Sequence, residues 1–206
     1  MSRAPIPLCA ASLAIVLSAA PAFAAIPSPG NCTVPTCIRV VPGGNIVTTV
    51  IVRDILNTPI PNSTVWLSYA NCPGLVLCAG PGDPYFNDVA NHRLVLATNP
   101  VGSAPFYIRG GGGCVNAGID IFADAIYLGS ARLASADQNG DLMVDPTDLA
   151  IETAKVGTSD LSGDLDCNGV VDNLDRGEVT KYIGNTCSDA TPVSPRSWGK
   201  LKILYR

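Results

Sequence analysis

Two short stretches of this chain carry oxygen-bearing side chains at matching intervals. The first, DQNGDLMVDPTD, presents Asp137, Asn139, Asp141, Asp145 and Asp148; the second, DLDCNGVVDNLD, presents Asp164, Asp166, Asn168, Asp172 and Asp175. In both, side-chain oxygens fall at positions 1, 3, 5, 9 and 12 of a twelve-residue loop, and the two registers lie 27 residues apart. Position 7, Met143 or Val170, needs only its backbone carbonyl, which allows an apolar side chain there. Position 8, Val144 or Val171, reads as an inward apolar residue that pairs the loops. Carboxylates at this density repel one another unless a positive charge sits among them. A hard cation taking six to eight oxygens around one point is that charge. Calcium suits the spacing, whereas magnesium demands a stricter octahedron and keeps more of its water. The expectation is therefore two calcium ions, one per loop.

Elements that must hold the loops follow from the flanking residues. In DPTDLAIETAKVG, Asp145 is an N-cap, Pro146 the first helical residue, Asp148 a first-turn acid and Gly157 a stop. DNLDRGEVTKYIG, from Asp172 to Gly184, repeats the plan. Loop followed by exit helix, duplicated and lacking the amphipathic entering helix of a full EF-hand, resembles a type I dockerin over Asp137 to about Gly184. That resemblance implies a small all-α module that binds calcium and docks on a cohesin-type partner, in a context of polysaccharide breakdown. Carried over by position, it gives Asp137, Asn139, Asp141, Met143, Asp145 and Asp148 as first-site ligands. Asp164, Asp166, Asn168, Val170, Asp172 and Asp175 serve the second. Two features depart from the pattern. Position 6, where a positive φ is expected, is Gly169 in the second loop but Leu142 in the first, which makes the first the more strained. Positions 10 and 11, which meet cohesin in the family, are Pro146–Thr147 and Asn173–Leu174 rather than small hydroxyl residues.

Upstream, the chain reads as β. NIVTTVIVRD (45–54), STVWLSY (63–69), HRLVLAT (92–98), APFYIRG (104–110) and IDIFADAIYLG (119–129) are rich in β-branched and aromatic residues, with Pro, Gly and Asn clusters between them. Short strands at this spacing predict an antiparallel sandwich. The segments VRDILNTPIPNSTVWL and ATNPVGSAPFYI resemble bacterial immunoglobulin-like repeats of invasin-type surface proteins, over roughly 40–130. The expected order is an immunoglobulin-like sandwich over 25–135, a dockerin-like module over 136–187 and a basic tail over 188–206.

The first 24 residues read as an export leader: a positive start, the apolar run LCAASLAIVLSAA, and small residues Ala22 and Ala24 before the cut. The run is too short to span a bilayer. Of eight cysteines, Cys9 falls in the leader; the others are Cys32, Cys37, Cys72, Cys78, Cys114, Cys167 and Cys187. In an oxidising compartment these read as disulfide partners. Close spacing invites Cys32–Cys37, Cys72–Cys78 and Cys167–Cys187, leaving Cys114 over, although sequence leaves the connectivity open. With His92 the only histidine and no Cys-x-x-Cys pair, zinc is not expected.

Charge is uneven along the chain. Between Asp137 and Asp189 there are twelve Asp and Glu against Lys155, Arg176 and Lys181, which would repel nucleic-acid phosphates. The tail SPRSWGKLKILYR (194–206) is basic. Catalytic readings fare poorly. His92 opens a strand, Asp83 and Asp88 sit in a turn-rich loop, and RGGGGC (109–114) lacks the Lys-Ser/Thr end of a phosphate loop. Trp66 and Tyr69 could stack on sugar, but Trp66 reads as core, and aromatic residues make up only 6% of the chain. The chain is expected to be a secreted, non-catalytic docking protein. The alternatives are an extracellular structural or adhesion protein whose calcium sites only rigidify its C-terminal part, and a small hydrolase carried by its dockerin.

Overall fold

In the computed structural model, residues 25–44, 46–78, 85–114 and 118–187 are described. The leader 1–24, Asp83 and the tail 188–206 lie outside them. Strands form where β-branched and aromatic residues alternate between core and solvent: β1 (Cys37–Val40), β2 (Val47–Ile51), β3 (Thr64–Ser68), β4 (Val76–Leu77), β5 (Phe86–Asp88), β6 (Arg93–Ala97), β7 (Ser103–Tyr107), β8 (Gly110–Gly111), β9 (Gly118–Ala123) and β10 (Ile126–Ser135). Six of them make one sheet in the order β1-β10-β9-β3-β6-β5, while β2 pairs with β7 and β4 with β8. Neighbours are antiparallel except β1 and β10, which run parallel. The inward faces of the large sheet and the β2–β7 ribbon share one apolar core, including Ile38, Val50, Leu67, Phe106, Ile121 and Leu133.

The chain enters by changing partners. Thr33 exchanges backbone hydrogen bonds with Ile51 beside β2. Pro35 follows, and from Thr36 onward the chain pairs with β10 instead. Such a crossing leaves the outer edges of β1 and β2 facing each other with no strand between them among the described residues.

Several expectations need correction. The segment 119–129 is not one strand but a hairpin: Asp124 and Ala125 take φ of 47° and 68°, turning β9 back into β10. Ser63 Oγ and the Thr64 N–H hold that turn by donating to Asp124. The segment YLGSARLASA (127–136) forms the body of β10. Its small residues Ala134 and Ala136 are wholly buried, because helices press close on that side. Trp66 lies on the outer face of the sheet, half-buried, stacked on Phe122 at 5.3 Å with the Arg93 guanidinium over its ring. Tyr69 is the buried one, and its hydroxyl donates to Asn87 at 2.9 Å.

The larger correction concerns the C-terminal part. A sandwich followed by a small all-α dockerin-like module is not the architecture. The chain is mostly β, and beyond β10 it holds just two ten-residue helices among the described residues, α1 (Pro146–Lys155) and α2 (Asn173–Tyr182). The loop–helix repeats have too little apolar surface for a core of their own. They complete one with the sheet: Val144, Leu165 and Val179 pack with Val41, Ala134 and Ala136.

Disulfides fasten the same seam, and all three expected pairings are replaced. Cys37 on β1 is bonded to Cys167 in the second loop, Cys78 to Cys187 beyond α2, and Cys72 to Cys114. Cys32, not Cys114, is free. Cys37–Cys167 spans 130 residues, so in the chain-entropy picture it removes much unfolded-state freedom. Replacing both Cys37 and Cys167 by Ala should lower unfolding free energy by about 2–5 kcal/mol in urea melts. Non-reducing peptide mapping of the native chain should recover the Cys37–Cys167 peptide, and recovery of Cys32–Cys37 instead would contradict this arrangement.

Candidate metal centre

Each loop is organised by its first and last carboxylates. Asp137, Asp148, Asp164 and Asp175 have no exposed surface, which for acidic side chains demands partners. Backbone amides supply them. Asp137 accepts from the N–H groups of Gly140 at 2.7 Å and Leu142 at 2.8 Å. Asp164, its counterpart, accepts from Asn168 at 3.0 Å and Gly169 at 2.7 Å. Asp148 accepts from Gln138, Asn139 and Asp145, and Asp175 from Leu165, Asp166 and Asp172, in the same order. Both helices begin with a reciprocal cap in which Asp145 pairs with Asp148 and Asp172 with Asp175, so the helix start and the loop end are one device. That cap holds the Asp145 carboxyl below its ordinary range through its hydrogen bonds to Thr147.

A tight loop requires left-handed backbone at positions 4 and 6. In the first loop these are Gly140 (φ 76°) and Leu142 (φ 68°), in the second Cys167 (φ 63°) and Gly169 (φ 97°). Position 6 is therefore left-handed in both, as the spacing predicts. The strain is not confined to the first loop, however. Each loop has one glycine and one side chain, in swapped places, at a cost of about 1–2 kcal/mol each. Behind the loops, the Gly184 N–H donates to the Val144 carbonyl at 2.8 Å, and that of Gly157 to Val171 at 2.9 Å. Each repeat thus ends on position 8 of the other, and both valines are buried.

The second loop brings its acids closest together. Carboxylate oxygens of Asp164, Asp166 and Asp175 lie within 4.8 Å of one another, a set of hard donors able to share one cation. Burial, with the charges of Asp175 and Asp164 adding to it, raises the Asp166 pKa against the Asn168 N–H. In the first loop, Asp137 is raised by burial and by Asp148 and Asp141, against the Leu142 and Gly140 N–H groups. Asn139 and Asp141 hydrogen-bond each other at the open rim, and Asn168 donates to Asp166 in the same way. Met143 and Val170 are exposed, and Asp145 and Asp172 act as the helix caps.

Three neighbours escaped sequence reasoning. Arg132 of β10 sets Nη1 2.5 Å from Asp164 Oδ2, a charge contact rather than an aligned hydrogen bond. The glycine run 110–113 is a close-packed wall: a Cβ on Gly111 would come within 1.7 Å of Asp137 Oδ2. Glu152 is fully buried, and neither carboxylate oxygen has a hydrogen-bond partner. It lies against Gly163, where a Cβ would meet Oε2 at 2.5 Å. Its counterpart in the second repeat is Val179, an ordinary core residue. The one local signal was its place four residues after Asp148, on the same face of α1.

The enzymatic alternatives find no constellation among the described residues. Asp88 is tied to Arg93 and Asn91. His92 ends a short 3-10 turn with its ring edge towards Tyr69. No protein-family model, curated protein or solved structure matches this chain.

Glu152 gives a pH test. Burial pushes its pKa up to about 7, with Lys155 opposing and Asp175, Asp160 and Asp164 adding to the rise. A raised carboxyl pKa means the folded chain holds a proton that the unfolded chain has released. Its contribution is therefore lost as pH climbs from the ordinary glutamate range to about 7. In chelator, the stability difference between Glu152→Gln and the native chain should move in favour of the variant by about 2–3 kcal/mol between pH 4.5 and pH 8. Urea melts at both pH values measure this, and a pH-independent difference would show that Glu152 ionises freely.

Proposed function

We propose that this chain is an extracellular, non-catalytic calcium-binding protein in which two ions, one per loop, fasten the C-terminal repeats to the β body. What carries the reading is the repetition: two loops in one register, each closing buried carboxylates at positions 1 and 12 onto the same backbone amides. The donor set of each loop is that of a hard-cation site, with Asp137, Asn139, Asp141, Asp145, Asp148 and the Met143 carbonyl in the first. Asp164, Asp166, Asn168, Asp172, Asp175 and the Val170 carbonyl form the second. Bound calcium would supply the charge that Arg132 supplies only to Asp164. The leader-like N-terminus and three disulfides support export to an oxidising compartment. No helix among the described residues is long and apolar enough to cross a membrane.

This favours the structural role over a free docking module, because the inner faces of the repeats are already occupied by the sheet. A second reading, calcium-dependent docking to a cohesin-type partner, draws support from Leu174, which stands 64% exposed at position 11 where the family meets its partner.

Calorimetric titration of the chelator-treated chain should show two calcium ions bound per chain. Asp137→Asn should abolish one and Asp164→Asn the other, with far weaker heats for magnesium. Absence of calcium heat, or equal affinity for magnesium, would remove the reading.

A further inference from the structure

The sequence contains two Asn-Gly pairs, Asn139–Gly140 and Asn168–Gly169, and each falls inside an acidic loop. Such a pair can modify itself. The glycine nitrogen attacks the asparagine Cγ and closes a five-membered ring, and glycine permits the approach because it has no Cβ to crowd it. The second loop assembles the groups this reaction uses. The Gly169 N–H donates to Asp164 Oδ2 at 2.7 Å, which sets a proton acceptor on the attacking nitrogen. Asn168 Oδ1 accepts from the Val170 N–H at 2.8 Å, a side-chain turn that folds the amide back over its own backbone. That donor lies where negative charge gathers when the carbonyl is attacked. The leaving nitrogen, Asn168 Nδ2, donates to Asp166 Oδ2 at 2.9 Å. Asn168, Gly169 and Val170 are exposed, so water reaches the ring once it forms.

The first loop has matching hydrogen bonds: Gly140 N–H to Asp137 Oδ1 at 2.7 Å, and Asp141 N–H to Asn139 Oδ1 at 2.9 Å. It differs in room. Ring closure pulls the glycine nitrogen towards the side chain and tilts the peptide that follows it. Gly140 lies against other backbone, and a Cβ there would be 3.3 Å from Gly112 Cα and 3.8 Å from the Gly74 carbonyl oxygen. A Cβ on Gly169 would meet nothing within 4 Å. The Cys37–Cys167 disulfide holds the residue before Asn168 and leaves the glycine side of the pair open.

We propose that Asn168 is a self-modification site, converted through a succinimide to isoaspartate, and that packing at Gly140 holds Asn139 back. In the first step the bond from the Gly169 nitrogen to Asn168 Cγ forms and the Cγ–Nδ2 bond breaks. The proton from the Gly169 nitrogen, passed through Asp164, leaves on ammonia. Water then adds to one of the two ring carbonyls and breaks its bond to the Gly169 nitrogen, giving aspartate or isoaspartate. No oxidant or reductant enters. Isoaspartate runs the main chain through the former side chain, so the carboxylate leaves position 5 and the Val170 carbonyl moves with the lengthened backbone. Where calcium binds as proposed above, this would retire the second site and spare the first, but the modification itself does not rest on that reading.

Peptide mapping with isoaspartate-specific detection, on the intact native chain aged in chelator at mildly alkaline pH, tests the proposal. Isoaspartate should accumulate at Asn168 at least about tenfold faster than at Asn139, because only the packed glycine needs a local opening before it reacts. In the same chain unfolded in urea the two rates should converge. Equal rates in the folded chain, a faster Asn139, or no isoaspartate at Asn168 would overturn the proposal. A difference that persists undiminished in urea would overturn it too, by assigning the preference to the flanking residues rather than to the fold. Ageing in calcium keeps the two claims apart. A rate at Asn168 that calcium leaves unchanged counts against the metal reading, whereas the chelator comparison alone decides the modification site.

Discussion

Four carboxylates with no exposed surface, Asp137, Asp148, Asp164 and Asp175, set the terms for the C-terminal half of this protein. Burying one unpaired carboxylate is expensive enough to unfold a small domain. Here each is wrapped by backbone N–H groups that only a tight left-handed turn can aim inward, and each last carboxylate also caps the helix it begins. Amide hydrogen bonds orient these groups but bring no full positive charge. Arg132 brings one, to Asp164 alone. The remaining imbalance is what the proposed dication in each loop would offset.

The same constraint accounts for features elsewhere in the chain. Gly111 is glycine because Asp137 occupies the space where a side chain would be. Small alanines end β10 because the repeats lie directly on it, and Cys37–Cys167 ties the second loop to the edge of the sheet. The repeats are therefore part of the β body's packing, and the proposed calcium sites would act on the junction between the two halves.

The loops and helices were legible in the sequence because their determinants are local. Carboxylate spacing, the Asp145 and Asp172 caps and the stops at Gly157 and Gly184 all lie within one repeat. The central strands were legible from alternation. What escaped was set by distant partners. Nothing near Cys37 in sequence points to Cys167, and the hairpin at Asp124–Ala125 lacks the glycine that usually marks such a turn. The all-α reading of the C-terminal part failed for the same reason: the residues that complete its core, Val41, Ala134 and Ala136, lie outside the repeats. Glu152 was hidden because a buried acid on an acidic helix looks like any solvated one.

The central claim is that calcium is part of the folded structure at this seam. The direct measurement is unfolding free energy as a function of free calcium, from chelator to millimolar concentration. If two ions bind only the folded chain, stability rises with the logarithm of calcium concentration, and the slope approaches the release of two ions per chain on unfolding. Unfolding that ignores calcium over the whole range would contradict the account.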